Sequence, residues 1–358
     1  MACEENLEIK TNECGTAMNI LYHLSILPPK ILGGEAVTQD IAALQQNFGG
    51  QIIYINPNGQ LPVPVIPRAC FGFHKLAQLQ DQERSPLLHH VFNPDPFPFP
   101  VLRYLRRPII YSLTGGVSNQ RINRRFFASL AAVTVSDERS LKKLQACGLS
   151  NVYVIPPGID KSRFTHTPIS LTSEIWLMVG SAPWSRAQFR SKGIDALLVA
   201  AQRCPELHLV FLWRGVLFDE MEARVRKFGI KRQVEVLNEQ VDVNRVLARV
   251  HGSITLTTRP EIVRPYPYSL IESLAAGKPV LVSRCIPMAD YVVRQGCGLV
   301  IENLTSEHLL DAVHQFSQKY DTLQNATSQI PPTVFSRQTM IVCWKRVYEA
   351  ILHNAKHS

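Results

Sequence analysis

At 358 residues the chain exceeds one ordinary hydrophobic core and fits two, since domains run about 100–200 residues. Its 46% hydrophobic and 19% charged residues exclude a disordered chain, and no run reaches the roughly 18–20 uninterrupted apolar residues that span a bilayer. A formal charge of +9, from 38 Lys and Arg against 29 Asp and Glu, favours an anionic partner: nucleotide phosphates, nucleic acid or a membrane surface.

The polar, acidic residues 1–17 lack a secretory pattern and read as a flexible extension ahead of Met18. Asn19–Ser25 reads as a buried strand of a parallel sheet, whose two covered faces need no alternation. Gly33-Gly34 and a helical run to Gln46 follow, then a strand at 51–56. Residues 57–100 are proline-rich and are expected to form an irregular cleft wall, with a short strand only at Val91-Phe92. Next come a strand at 108–113, a basic helix from Asn119 to about Leu130, a strand at 131–135, a helix capped by Ser136, and a strand at 152–155. A second series starts near 174, with strands at 174–180, 207–213, 233–237, 253–257 and 279–283 separated by helices. This alternation predicts an α/β protein with two doubly wound parallel sheets. The expected units are residues 18–168, 169–335 and a last helix at 336–358.

The eight cysteines (Cys3, Cys14, Cys70, Cys147, Cys204, Cys285, Cys297 and Cys343) form no Cys-x-x-Cys pair. They are expected to be reduced, mostly buried thiols of a cytoplasmic protein. Neither a Gly-x-Gly-x-x-Gly fingerprint nor a P-loop is present, which removes most support for dehydrogenase and P-loop chemistry. No helix-turn-helix or RNA-binding signature appears, so nucleic acid is not the expected partner.

Gly33-Gly34 lies between a strand and a helix, where glycine lets the backbone approach a ligand and the helix offers its N–H groups. A turn glycine pair explains the same residues. Glu272 sits near the start of a helix whose first amides, around Ser269 and Leu270, can cradle a phosphate. A carboxylate there can take both hydroxyls of a ribose, or can simply favour the helix dipole. Lys192 can hold a diphosphate and offset the charge that builds on a leaving group, or can be a surface lysine.

In chain order, Val154-Ile-Pro-Pro-Gly-Ile-Asp160, Gly180 with Lys192-Gly-Ile-Asp195, Thr258–Ser283 with its core Pro267-Tyr-Ser-Leu-Ile-Glu272, and Phe335–Tyr348 form a series. It resembles the family 4 glycosyltransferases of the GT-B type, across residues 18–352. The resemblance implies two facing Rossmann-like domains with a C-terminal crossover helix. It also implies a retaining transferase that moves a sugar from a nucleotide-diphospho-sugar (UDP or GDP) to a hydroxyl acceptor. No further cofactor and no metal are implied, since no Asp-x-Asp motif is present and Lys or Arg replaces the cation.

On this reading Gly33, Gly34, Gly180, Arg186, Arg190, Lys192, Ser269, Leu270 and Glu272 bind the donor. Two departures accompany the match. The family's paired glutamates stand eight positions apart, and eight before Glu272 is Arg264, with Glu261 displaced by three; Glu261, Arg264 and Lys192 are therefore the catalytic candidates. Ser181 follows Gly180 where an arginine is usual, so Arg186 or Arg190, in an enlarged loop 181–191, is expected to supply the second charge. On the acceptor side stand Thr114 and Gly115, with Arg121, Arg124 and Arg125 spaced to share a helix face. His89 and His90 are expected to pack rather than to catalyse. The basic first domain favours an anionic acceptor or peripheral contact with an anionic membrane. Two other readings keep the fold: a nucleotide-sugar-binding protein with weakened catalysis, and a sugar-nucleotide epimerase.

Overall fold

The computed structural model describes residues 18–25, 36–58, 66–85, 87–118, 120–180, 182–213 and 216–357. In the first half the strands are β1 (Ile20–Leu24), β2 (Gln51–Tyr54), β3 (Leu88–Asn93), β4 (Ile109–Leu113), β5 (Ala132–Val135) and β6 (Val152–Val154). Helices α1 (Ala36–Phe48), α2 (Leu76–Gln82), α3 (Arg124–Ala128) and α4 (Glu138–Ala146) connect them. The second half holds β7 (Ile175–Val179), β8 (Leu207–Leu212), β9 (Val234–Leu237), β10 (Gly252–Thr255), β11 (Val280–Ser283) and β12 (Gly298–Ile301). Its helices are α5 (Arg186–Ser191), α6 (Ile194–Arg203), α7 (Phe218–Phe228), α8 (Val243–Leu247), α9 (Tyr268–Ala275), α10 (Met288–Gln295), α11 (Ser306–Ser328) and α12 (Arg337–His357).

Each half folds around one all-parallel sheet. The orders are β2-β1-β3-β4-β5-β6 and β12-β11-β10-β7-β8-β9. The central strands β1, β3, β4, β10 and β11 are buried at every position, as helices on both faces require, whereas the edge strand β6 exposes Tyr153. Chain direction reverses its march between β1 and β3 in the first sheet and between β7 and β10 in the second. Doubly wound sheets bind ligands outside the carboxyl ends of the strands at such switch points. The two points are Ser25 beside Asn93, joined by a hydrogen bond, and Gly180 beside the residues after Thr255.

The last helix returns to the first domain. Met340, Trp344 and Tyr348 of α12, at one-turn spacing, pack with Ile41 and Leu44 of α1 on Ile20, Tyr22 and Leu88. Tyr348 Oη lies 2.8 Å from His90 Nδ1, and His90 Nε2 lies 2.7 Å from Ser112 Oγ. In the second domain α6 and α11 cover β7, β8 and β10, with Phe189, Trp213 and Phe316 in the core.

Several local expectations give way. Residues 57–100 are less irregular than their prolines imply. They contain α2, whose Leu79 packs with Leu21 and Ile53, and the central strand β3, whose His89-His90 pair hides its apolar character. The basic helix shrinks to α3, because the Asn123 side chain caps Phe126 N and starts the helix late; Arg121 lies outside it. Asp137, not Ser136, caps α4 through Ser140 N. The enlarged loop 181–191 holds the short helix α5, anchored by buried Phe189. Of the six described cysteines, all free thiols, only Cys297 and Cys343 are buried, while Cys70 and Cys147 are exposed.

Candidate functional site

The second switch point is built by three neighbouring segments. Glycine is required at position 180, because a Cβ there would occupy the space of the Ser269 side chain. That close approach sets the start of α9 against the end of β7, with Ser269 Oγ 3.3 Å from Thr255 Oγ1 of β10. Pro267 precedes the helix and gives no side-chain cap, so the positive end of the helix dipole lacks a capping oxygen. The Leu270 amide turns back to Pro267 O at 3.0 Å; it does not point outward as a phosphate ligand, which corrects the expectation for that residue. Glu272 follows one turn into α9, half-buried.

Lys192 comes to the same place from the other side. It follows α5 and precedes Gly193, whose left-handed φ of 65° turns the chain into α6. The side chain is only 5% exposed, and its Nζ donates to Ala182 O at 3.0 Å, just beyond β7. Thr258 N donates to Ser191 O at 2.8 Å, which fixes Lys192 beside the exit of β10. It is therefore no surface lysine. Burial pushes its ammonium down to about 8, so its charge is held at the edge of the physiological range.

The other cationic candidates are placed elsewhere. Arg186 is exposed and pairs with Glu220 of α7 at 3.3 Å, and Arg190 is exposed on the same short helix. Neither is brought to Lys192 by a described contact; on α5 both face outward. Arg121, Arg124 and Arg125 are likewise exposed, and Arg124 lies against Gly148 after α4. Gly33 and Gly34 lie outside the described residues.

Across the cleft the end of β4 meets the loop after β10. Thr114 and Gly115 follow β4, held by Asn93 O and Pro94 O at 2.9 and 3.1 Å. A Cβ on Gly115 would lie 3.2 Å from Glu261 O, and one on Gly116 would lie 3.0 Å from Pro260 O. The two domains touch here. The Glu261 carboxylate accepts from Arg259 Nε at 2.8 Å, within its own domain. Arg264 does not stand in for a glutamate facing open space; its Nη2 donates to Asp40 of α1 at 2.7 Å.

Sequence reasoning missed several groups at these ends. Arg68 forms a two-bond pair with Asp95, at 2.8 and 2.7 Å, beside the first switch point and stacked over Phe97 at 4.4 Å. Asp95 is held below the usual carboxylate range by Arg68, against the opposing effect of burial. Asp40 and Tyr268 were also unmarked, as were Arg139 and Asp290, which join the domains. Of these only Tyr268 lies in a motif, the Pro267–Glu272 segment, and only the fold brings the partners together. His89 and His90 lie inside β3, each buried and held below the usual imidazole range by desolvation; His89 bonds Glu83 and His23, not the cleft. Among the described residues no group of three or more His, Cys, Asp or Glu is arranged to hold a metal ion, and no helix is long and apolar enough to cross a membrane.

Residues 172–330, the unit that contains this site, match the model of the family Glycosyl transferases group 1. Lipopolysaccharide glucosyltransferase WaaG of Escherichia coli (strain K12) is 27% identical over 177 residues, 45% of this chain and 45% of that protein. The chain thus spans less than half the length of that curated relative. Among solved structures, sucrose-phosphate synthase of Thermosynechococcus elongatus superposes with a TM-score of 0.71 at 14% identity, covering 94% of this chain and 100% of that one. HepE of Anabaena, in complex with UDP, gives 0.68 at 16% identity, over 93% and 100%. The architecture is the GT-B fold.

Proposed function

We propose that this GT-B chain, whose residues 172–330 belong to the group 1 glycosyl transferases, moves a sugar from a nucleotide-diphospho-sugar to a hydroxyl acceptor. The observation that carries the reading is the uncapped start of α9, set against Gly180 with buried Lys192 beside the same strand ends. A helix N-terminus and an ammonium held in a water-poor place stabilise a departing diphosphate more than they would in water. Glu272 takes the ribose hydroxyls, and Ser269 together with the first amides of α9 takes a phosphate. UDP is the nucleotide of choice, because HepE is solved with it.

The acceptor enters from the first domain, past Thr114 and Gly115. Retention of configuration would follow from attack on the same face from which the diphosphate leaves, with a leaving-group oxygen taking the acceptor proton; no protein nucleophile is then needed. The exposed arginines Arg103, Arg106, Arg121, Arg124 and Arg125 support an anionic acceptor, or a reaction beside an anionic membrane. A second reading, nucleotide-sugar binding without transfer, is favoured by one observation: Arg264 occupies the place of a family carboxylate and is paired with Asp40.

Titration calorimetry with UDP and UDP-glucose, paired with an assay of UDP release, tests the assignment. The expected result is saturable binding and slow donor hydrolysis, both lost in Lys192→Ala and reduced in Glu272→Gln. Binding that neither substitution changes would sink the assigned site, and binding without any release of UDP would favour the second reading.

A further inference from the structure

Asp40 lies on α1 in the first domain and is only 8% exposed. Both of its carboxylate oxygens are engaged by the second domain. Arg264 Nη2 donates to one at 2.7 Å, and the Tyr268 hydroxyl donates to the other. The Arg264 guanidinium also stacks over the Tyr268 ring, 4.7 Å from its centre. Tyr268 is the first residue of α9 and the neighbour of Ser269, so this cluster is built on the end of the helix assigned to phosphate.

The Tyr268 hydroxyl also lies 3.4 Å from Gly158 O, where the chain passes from one domain to the other. There the two crossings are bonded to each other: Ile159 N donates to Phe335 O and Arg337 N donates to Ile159 O, each at 2.9 Å. A Cβ on Gly158 would lie 2.8 Å from Met340 Cβ and 2.9 Å from Arg337 Cα, so the crossing admits only glycine without displacement. Phe335 is held at a left-handed φ of 56°, a conformation non-glycine residues rarely adopt. One cluster therefore touches α1, the start of α9 and the hinge.

A buried ion pair is a poor device for stability, because desolvation offsets most of its attraction, but a good one for fixing a single relative placement. Arg264 Nη1 is buried without a hydrogen-bond partner among the described residues, a cost that an apolar contact at the same place would not carry.

We propose that Asp40 is a positioning residue: with Arg264 and Tyr268 it forms a latch that ties the phosphate end of α9 to α1 and the hinge, holding the cleft closed for transfer. The proposal rests on the reading of α9 as the donor site. The latch sets the distance between the donor and the ends of β1 and β4. Asp40 needs no contact with the reacting atoms.

The test uses the full chain with UDP and UDP-glucose as probes. Small-angle scattering is recorded with and without saturating UDP for the parent, Asp40→Asn and Tyr268→Phe, with thermal unfolding as a check on folding. Tyr268→Phe removes one hydroxyl and keeps the ring, so it serves if Asp40→Asn fails to fold. The expected result is UDP affinity within about threefold of the parent, a larger radius of gyration with UDP bound, and a kcat for UDP release lower by about tenfold or more. The charge-swapped Asp40→Arg/Arg264→Asp chain regains part of the compaction. Scattering and kcat like those of the parent in both single variants overturn the latch, as does a parallel loss of UDP affinity and kcat. A parent that binds no UDP refutes the functional reading instead.

Discussion

Arg139 of α4 and Asp290 of α10 join the two domains by a pair of hydrogen bonds, both 2.6 Å long, and Arg139 also donates to Arg284 O at 2.8 Å. The two residues stand 151 positions apart. Asp290 is half exposed, so water screens the pair and its worth is that of a good surface bridge. Arg139→Ala should cost about 1 kcal/mol in urea unfolding at low salt. The difference should shrink in 1 M sodium chloride, where charges are screened within about 3 Å. An effect independent of salt would mean that side-chain packing, not charge, joins the domains here.

If Lys192 holds the donor diphosphate as proposed, its titration sets a pH limit on donor binding. Burial holds its ammonium at about 8, so the free site loses its charge above that pH. If only the charged form takes the diphosphate, the Kd for UDP should rise about tenfold between pH 7 and pH 9. Lys192→Arg, which stays charged throughout, should flatten the profile in calorimetry even where its affinity is lower.

Lys278 is buried with no hydrogen-bond partner for Nζ among the described residues, and desolvation pushes it down to about 8 as well. In the unfolded chain a lysine titrates near 10.4, so the native state binds this proton less tightly than the unfolded state does. Its charge therefore opposes folding below pH 8, and the penalty is relieved as pH climbs from about 8 towards 10. Lys278→Met should stabilise the protein at pH 7 by about 1–3 kcal/mol and remove that part of the pH dependence. Denaturant unfolding at pH 7 and pH 9.5 checks both, and a destabilised Met variant refutes the account.

Gly180 permits the contact that sets α9 against β7. Gly180→Ala should displace Ser269 and weaken UDP binding by about tenfold or more, since a hydrogen bond to a charged group is worth about 1.5–3 kcal/mol. Adding Ser269→Gly removes the side chain in conflict, and should restore the thermal midpoint of the Ala variant more than its affinity.

The crossover helix is fastened by His90 and Tyr348, in contact at 2.8 Å with both side chains buried. Tyr348→Phe leaves a buried ring nitrogen unpaired, and should cost about 1–2 kcal/mol. Tyr348→Leu also removes the edge-on packing against Phe48 and should cost more.

The central strands were legible because parallel sheets covered on both faces use largely apolar runs: Ile175–Val179, Val280–Val282 and, with one histidine, Ile20–Leu24 announce themselves without any partner. β3 was legible only at Val91-Phe92, since His89 and His90 interrupt its apolar run and are satisfied only by Glu83 and His23 on one face and by Ser112 and Tyr348 on the other. The motif around Glu272 could be read because a helix start, its first amides and its carboxylate are consecutive in the chain. Leu270 was misread there, because the turn back to Pro267 O is a backbone detail that residue type does not set.

Two domains and a surplus of positive charge were thus in the composition, and the parallel α/β plan was in the local periodicity, where burial of each element follows from its own residues. The tertiary structure alone decided which charges remain available. It buried Lys192, turned Arg186 to Glu220, and brought Arg264 to Asp40 across 224 positions of sequence. Such pairings depend on how two finished domains meet, and no run of neighbouring residues encodes that geometry.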